Sequence, residues 1–160
     1  MDQTTAIESR SATMRIRFIL ILLPLLLIGC NSSTGQLFAI KPAWTMKISG
    51  LTHYSLGNGL QIWVQESPIV TATDIKDARL SKDDMGNPAV MITFDRTGTA
   101  RMARFTEGHI SQPLAVFVDE ALIDAPVVTG EMGPDFLVRE LGDRSHAESF
   151  AERVHNPDQE

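Results

Sequence analysis

The sequence predicts an α+β domain: an antiparallel or mixed sheet with two main helices packed against it. Three observations carry this. Apolar runs of strand length outnumber helical runs. The elements follow the order strands, helix, hairpin, strand, helix, and segregated runs of this kind belong to α+β rather than doubly wound folds. The chain has 160 residues, 43% hydrophobic and 21% charged, which suits a single core.

In chain order, the first element is an address. Phe18 to Ile28 holds no polar side chain and follows Met14-Arg15-Ile16-Arg17, the cationic start and short apolar run of a secretory signal. Pro24 interrupts the run, and a membrane-spanning helix needs roughly 20 apolar residues. Leu27, Ile28, Gly29 and Cys30 then resemble the lipobox of bacterial lipoproteins, in which a peptidase cuts before the cysteine and the cysteine sulfur takes a diacylglyceryl group. The competing reading is a buried thiol ending an uncleaved apolar helix. The expected organisation is a leader and signal over 1–29, with translation starting at Met14, then a lipidated flexible tether over 30–43. The α+β domain occupies 44–155 and a free tail 156–160. The lipid bilayer is the first expected partner, through acylated Cys30, with the domain facing the periplasm. Asn31, where Asp would signal inner-membrane retention, mildly favours the outer membrane.

Within the domain, Gly57-Asn58-Gly59 tolerates positive φ and feeds a strand over Leu60–Val64. Trp63 breaks the alternation there, so both strand faces should meet apolar groups, the Trp44–Ile48 segment among them. Asp74 to Leu80 and Ala89 to Phe94 flank the turn cluster Asp83, Asp84, Gly86, Asn87, Pro88, which predicts a hairpin joining Arg79-Leu80 to Val90-Met91. Asp95 and Thr97 can cap a helix with Met102, Ala103, Phe105 and Ile110 on one side, ended by Pro113. Leu114–Val118 reads as a buried strand, turned by Asp119-Glu120. The return over Ala121–Val128 must be an edge or bulged at Pro126, because proline cannot donate to a ladder. After Gly130, Gly133 and Pro134, Phe136–Val138 forms a short strand. Ser145-His146-Ala147-Glu148 reads as a capping box opening a last helix with Ala147, Phe150, Ala151 and Val154 inward.

The same residues exclude several chemistries. The chain carries 14 Lys+Arg against 20 Asp+Glu, a formal net charge of -6, without the clustered basic face that nucleic-acid phosphates need. One cysteine closes no intramolecular disulfide, and His53, His109, His146 and His155 lack metal-ligand spacing, so no metal or cofactor is expected. Asp83-Asp84 reads as a turn, since its surroundings lack the spacing of a calcium loop. Ser111, His109 and Asp119 make a triad only on paper, without a nucleophile elbow. Gly57-Asn58-Gly59 lacks the rest of a dinucleotide fingerprint. An enzyme is not expected.

Taken in order, a series of pieces resembles the head subdomain of the first periplasmic domain of SecD, the accessory subunit of the Sec protein-export machinery. These are Asp74-Ile75 with Ala78, Gly86 with Pro88-Ala89-Val90, and Phe94. Gly98, Phe105-Thr106, Ile110, Leu114-Ala115-Val116 with Asp119, Ala125-Pro126-Val127 and Gly142 follow. The resemblance runs from about Ile69 to Val154. Glu120 departs from it where the family commonly turns on glycine. It implies the head fold, a periplasmic setting and contact with exported polypeptides or Sec components, and it implies no catalytic residue and no proton-driven motor.

Phe136, Leu137 and Val138, with the proline-bearing return strand nearby, are the candidate peptide-binding residues: an open sheet edge there could add an extended chain. Ordinary pairing within the core is the other reading. The expected function is a tethered, non-catalytic binding module in the cell envelope. A structural lipoprotein docking on one folded partner is the alternative, and an envelope hydrolase is a third.

Overall fold

The computed structural model describes residues 36–155. The leader, Leu27 to Cys30, residues 30–35 of the expected tether and the tail 156–160 lie outside the described residues.

Among the described residues the first element is strand β1 (Phe38–Trp44), followed by β2 (Thr52–Ser55), β3 (Gln61–Val64) and β4 (Val70–Thr71). A short 3-10 turn leads into the hairpin β5 (Ile75–Lys82) and β6 (Pro88–Phe94), and then helix α1 (Arg96–Glu107). β7 (Leu114–Val118), β8 (Ala121–Asp124), β9 (Asp135–Val138) and helix α2 (Arg144–His155) complete it. The strands form two sheets, with every pairing antiparallel. The larger runs β2-β3-β1-β7-β8, with β4 also on β1; the smaller runs β5-β6-β9. The α+β expectation holds, resolved into two sheets.

The expected tether is corrected by β1. Residues 38–43 are not a flexible linker: Phe38, Ala39, Ile40 and Ala43 are fully buried, and β1 pairs with β7 from Phe38↔Val118 to Pro42↔Leu114. A proline at the centre of a sheet is tolerable here for a local reason. Ala43 N donates to Pro113 O, so by alternation residue 42 turns its nitrogen to the opposite edge. On that edge β1 passes from β4 (Ile40↔Val70) to β3 (Ala43↔Val64), and the missing N–H of Pro42 falls in the gap between them.

The larger sheet is curled. Tyr54 on β2 and Phe117 on β7 sit three strands apart, about 14 Å in a flat sheet, yet their ring centroids are 5.2 Å apart and T-shaped. The β2–β3 hairpin therefore folds over one face, enclosing Ala39, Ala43, Ile62, Val64, Ala115 and Phe117 in a small core. Lys41 lies over the Phe117 ring at 5.1 Å while its Nζ stays 3.7 Å from Glu66, so the buried stem keeps its charge at the water. The other face contributes Phe38, Ile40, Leu114 and Val116 to the main core, which they share with Val90, Ile92 and Phe94 of β6, Met102 of α1 and Phe150 of α2. Burying a side chain such as Phe150 is worth about 1.5–3 kcal/mol.

The β5–β6 hairpin has the expected register, Arg79↔Met91 and Leu80↔Val90, across a turn in which Asp83 Oδ1 accepts from Met85 N and Asn87 N at 2.9 and 2.8 Å. Asp95 caps α1 through Gly98 N at 2.7 Å. Four details differ from the sequence reading. Thr97 lies within α1 rather than capping it, and α1 stops at Gly108, not Pro113, which leaves Ile110 outside the helix and 53% exposed. The cap of α2 is Asp143, not Ser145: its Oδ1 accepts from His146 N at 3.0 Å and its carbonyl from Ala147 N. The strand returning from Asp119-Glu120 ends at Asp124, with a register shift opposite Val116/Phe117 and a single bridge resuming at Val127.

Candidate functional site

β9 is the strand at one end of the smaller sheet, and its sequence makes it an amphipathic edge. Phe136 and Val138 are buried, Leu137 is half-buried and Asp135 exposed. Pro134 sets the register by accepting from Phe94 N at 2.8 Å. By alternation Phe136 and Val138 exchange bonds with Ile92 and Val90, while Asp135 and Leu137 turn their N–H and C=O away from β6. No strand among the described residues pairs with that outer side. Two contacts pin the strand ends: Thr93 Oγ1 donates to Asp135 Oδ1 at 2.6 Å, and Arg139 Nη2 to Asp124 Oδ2 at 3.0 Å.

Of the three expected peptide-binding residues, the structure thus divides the roles. Phe136 and Val138 give their side chains to the main core, and Leu137 alone presents both a side chain and outward backbone groups. A groove of about 250 Å³ borders the core side of β9, lined by Leu114, Pro126, Val127, Val128, Met132 and Phe136. Its loop is held by Thr106, whose buried hydroxyl donates to Met102 O at 2.8 Å and accepts from Met132 N at 2.9 Å. Val127 is 56% exposed. Sequence reasoning missed Val127 and Met132 as groove residues, because contacts distant in sequence place them: the Thr106 contact, 26 residues away, for Met132 and the bridge to Pro113 for Val127.

The opposite edge, β5, is anchored differently. Asp74, 5% exposed, accepts from Thr71 N at 2.9 Å and takes Arg101 Nη1 on both oxygens at 3.0 and 3.1 Å. Gly98 is what lets α1 approach this carboxylate. A Cβ there would stand 2.8 Å from Asp74 Cβ and 3.0 Å from its carbonyl.

Two of the residues weighed for catalysis, His109 and Asp119, are engaged elsewhere. His109 Nδ1 lies 2.6 Å from Phe105 O, with the rings stacked at 4.0 Å, and Asp119 is gripped by Arg153 at 2.6 and 2.7 Å. His146 and Asp143 meet at 2.8 Å at the start of α2, where hydrogen bonds from the His146 backbone and ring hold the Asp143 carboxyl below its usual range. Among the described residues no three His, Cys, Asp or Glu side chains group as metal ligands, and no helix is long and apolar enough to cross a membrane. Across β2, β3 and β1, His53, Trp63 and Trp44 stand side by side, with His53 and Trp63 at 5.0 Å.

The chain is similar to known proteins. The family model described as SecDF, P1 head subdomain, matches residues 49–154. The protein translocase subunit SecD of Rhodobacter capsulatus is 40% identical over 70 residues, which are 44% of this chain and 13% of that protein. That of Aquifex aeolicus is 29% identical over 86 residues, 50% of this chain and 17% of that one. A solved structure described as "Structure and function of a membrane component SecDF that enhances protein export" superposes with a TM-score of 0.56 at 21% identity, covering 75% of this chain and 63% of that chain. The likeness to it is one of fold. The chain spans less than a fifth of the length of these two curated relatives.

Proposed function

Because the chain belongs to the SecDF P1 head subdomain family, we propose that it is an envelope protein whose head-like domain binds exported polypeptides in extended form, as a non-catalytic module. The observation that carries this reading is the outer side of β9, which pairs with no strand among the described residues and where Asp135 and Leu137 direct backbone donors and acceptors outward beside a groove. An added strand would draw affinity from those main-chain groups and modest selectivity from alternate side chains. That suits a module meeting many sequences. It needs no cofactor, because the recognising groups are backbone. The exported nature of the chain, and the Sec machinery as partner, are drawn from the relatives, which are described as translocase subunits and a component that enhances protein export.

The anchor is part of the proposal. Leu27, Ile28 and Gly29 direct cleavage, and Cys30 carries the acyl chains. Each buried CH₂ adds about 0.8 kcal/mol, so a cysteine with three chains does not leave the bilayer. The domain then faces the periplasm, from the outer membrane by the Asn31 reading. Mass spectrometry of the N-terminal peptide should find Cys30 first and acylated; an intact leader with a free thiol contradicts the anchor.

For the binding edge, Leu137→Pro is the discriminating variant. It removes an outward N–H and no ladder bond, so the full chain in detergent should fold and lose binding to an unfolded secretory polypeptide. Undiminished binding overturns the reading. Docking on one folded envelope partner is a second reading, favoured by the His53-Trp63-Trp44 row, since aromatic clusters anchor folded interfaces. One dominant partner lost on Trp63→Ala, with Leu137→Pro harmless, would select it.

A further inference from the structure

Leu137 lies midway between Asp135 and Arg139. By the alternation that Phe94 N to Pro134 O imposes, Asp135 and Leu137 turn their backbone groups away from β6 and put their side chains on the face opposite Phe136 and Val138. Arg139 is the residue after the strand's end at Val138, and one more step of the same alternation puts it at the next outward position. Asp135 is exposed, with Oδ1 held by Thr93. Arg139 has a 42% exposed side chain and uses Nη2 on Asp124, leaving other donors of the guanidinium fork.

From this spacing we infer that the β9 edge pairs with the β9 edge of a second copy of this chain, antiparallel and centred on Leu137. A strand reversed about that residue sets Asp135 against the partner subunit's Arg139 and Arg139 against the partner subunit's Asp135. Leu137 then meets the partner subunit's Leu137. Every cross-pair is opposite in charge or apolar, and each falls at a position whose backbone groups point across the seam. The product is a two-fold, continuous sheet β5-β6-β9-β9-β6-β5, the isologous arrangement in which one surface complements itself.

So short a seam lies below the size of stable interfaces, and the pairing is weak and reversible. It also occupies the groups that an exported polypeptide would use. The competition between copy and client rests on the reading of β9 as the polypeptide edge; the self-pairing does not. An empty module would cover its own edge and release it when an extended chain arrives.

Disulfide trapping tests this in membranes containing the full chain. In a hydrogen-bonded antiparallel pair the facing Cα atoms stand about 5.5 Å apart, within the range a disulfide spans. Mild oxidation of Leu137→Cys should give a crosslinked dimer several-fold above both the wild-type chain and Leu80→Cys on the β5 edge. Adding Arg139→Asp should lower the yield, and combining it with Asp135→Arg should restore it, a rescue that loss of folding would not produce. A yield no higher than that of Leu80→Cys, or one indifferent to the charge swaps, overturns the pairing. Dimer without any crosslink from residue 137 to exported chains would sink the functional reading alone; crosslinks without dimer would sink the self-pairing alone.

Discussion

The two edges of the smaller sheet have been treated in opposite ways. β5 is eight residues long, with Lys76, Arg79 and Lys82 along it and a register shift between Ile75 and Asp77 that leaves Lys76 as the extra residue. Lysines and bulges are how natural sheets blunt an edge against further pairing. β9 has four residues, no bulge and no lysine, and of its two outward positions, Asp135 and Leu137, one is apolar. The start of β5 is locked by Asp74, Arg101 and Gly98, whereas β9 borders a groove. The difference teaches that the lack of a neighbour at β9 among the described residues is not matched by the defences seen at β5: one edge carries lysines and a bulge, and the other carries neither.

The largest effect separates neighbouring positions of β9 itself. Phe136→Pro deletes a ladder bond to Ile92 and a core ring, and should cost more than about 3 kcal/mol in urea unfolding. Leu137→Pro should cost no more than about 1 kcal/mol, because its N–H points outward and most surface changes are small. Equal costs would mean that Leu137 is paired and the edge is not open.

Breaking the lock on β5 comes next. Gly98→Ala pushes a methyl against Asp74, chiefly against atoms at or next to its backbone, and should destabilise by about 1–3 kcal/mol. Arg101→Ala leaves a buried carboxylate with only a backbone donor, and should cost about 1–2 kcal/mol, tempered by the exposure of Arg101. Thermal unfolding checks both, and neither should alter binding at β9. A smaller change sharpens the contrast: Lys76→Val with Lys82→Val removes the guard, and light scattering should show self-association that the wild-type β5 edge does not support.

The smallest effect is one of pH. Hydrogen bonds from the Asn87 side chain and from the Asn87 and Met85 backbones hold the Asp83 carboxyl below its usual 3.8. A depressed carboxyl contributes stability that is present above the unfolded value and lost as pH falls through the folded one. Asp83→Asn should therefore lose that small contribution near neutrality and flatten the stability profile below about pH 4, and NMR titration should place Asp83 below its usual value.

How much of this was legible in the sequence depends on how local the deciding contact is. The β5–β6 register was readable because Asp83, Gly86 and Asn87 write the turn, and Gly86 takes the positive φ of 88° it requires. β9 was readable as a short strand between Pro134 and Gly142. β1 was not. Phe-Ala-Ile-Lys-Pro-Ala-Trp follows a polar linker and contains a proline, and only pairing with β7, more than 70 residues later, makes it central. β2 went unread for a related reason: its Thr-His-Tyr-Ser is mostly exposed, and its inward Tyr54 finds Phe117 only once the sheet curls. Ser145 competed with Asp143 for the cap of α2, and short-range pattern alone does not rank two neighbouring oxygens. At Asp119 and Glu120 both φ are positive, 49° and 64°, a turn usually built with glycine; the grip of Arg153 on Asp119 and the bonds to Leu37 O and Gln36 O hold it.

Site-specific photocrosslinking in exporting cells, with the crosslinker at residue 137 or residue 80, addresses the central claim most directly. An open β9 beside a guarded β5 predicts adducts with exported chains from position 137 that vanish when export stops, and few from position 80. Equal adducts from both positions, or none from 137, would contradict it.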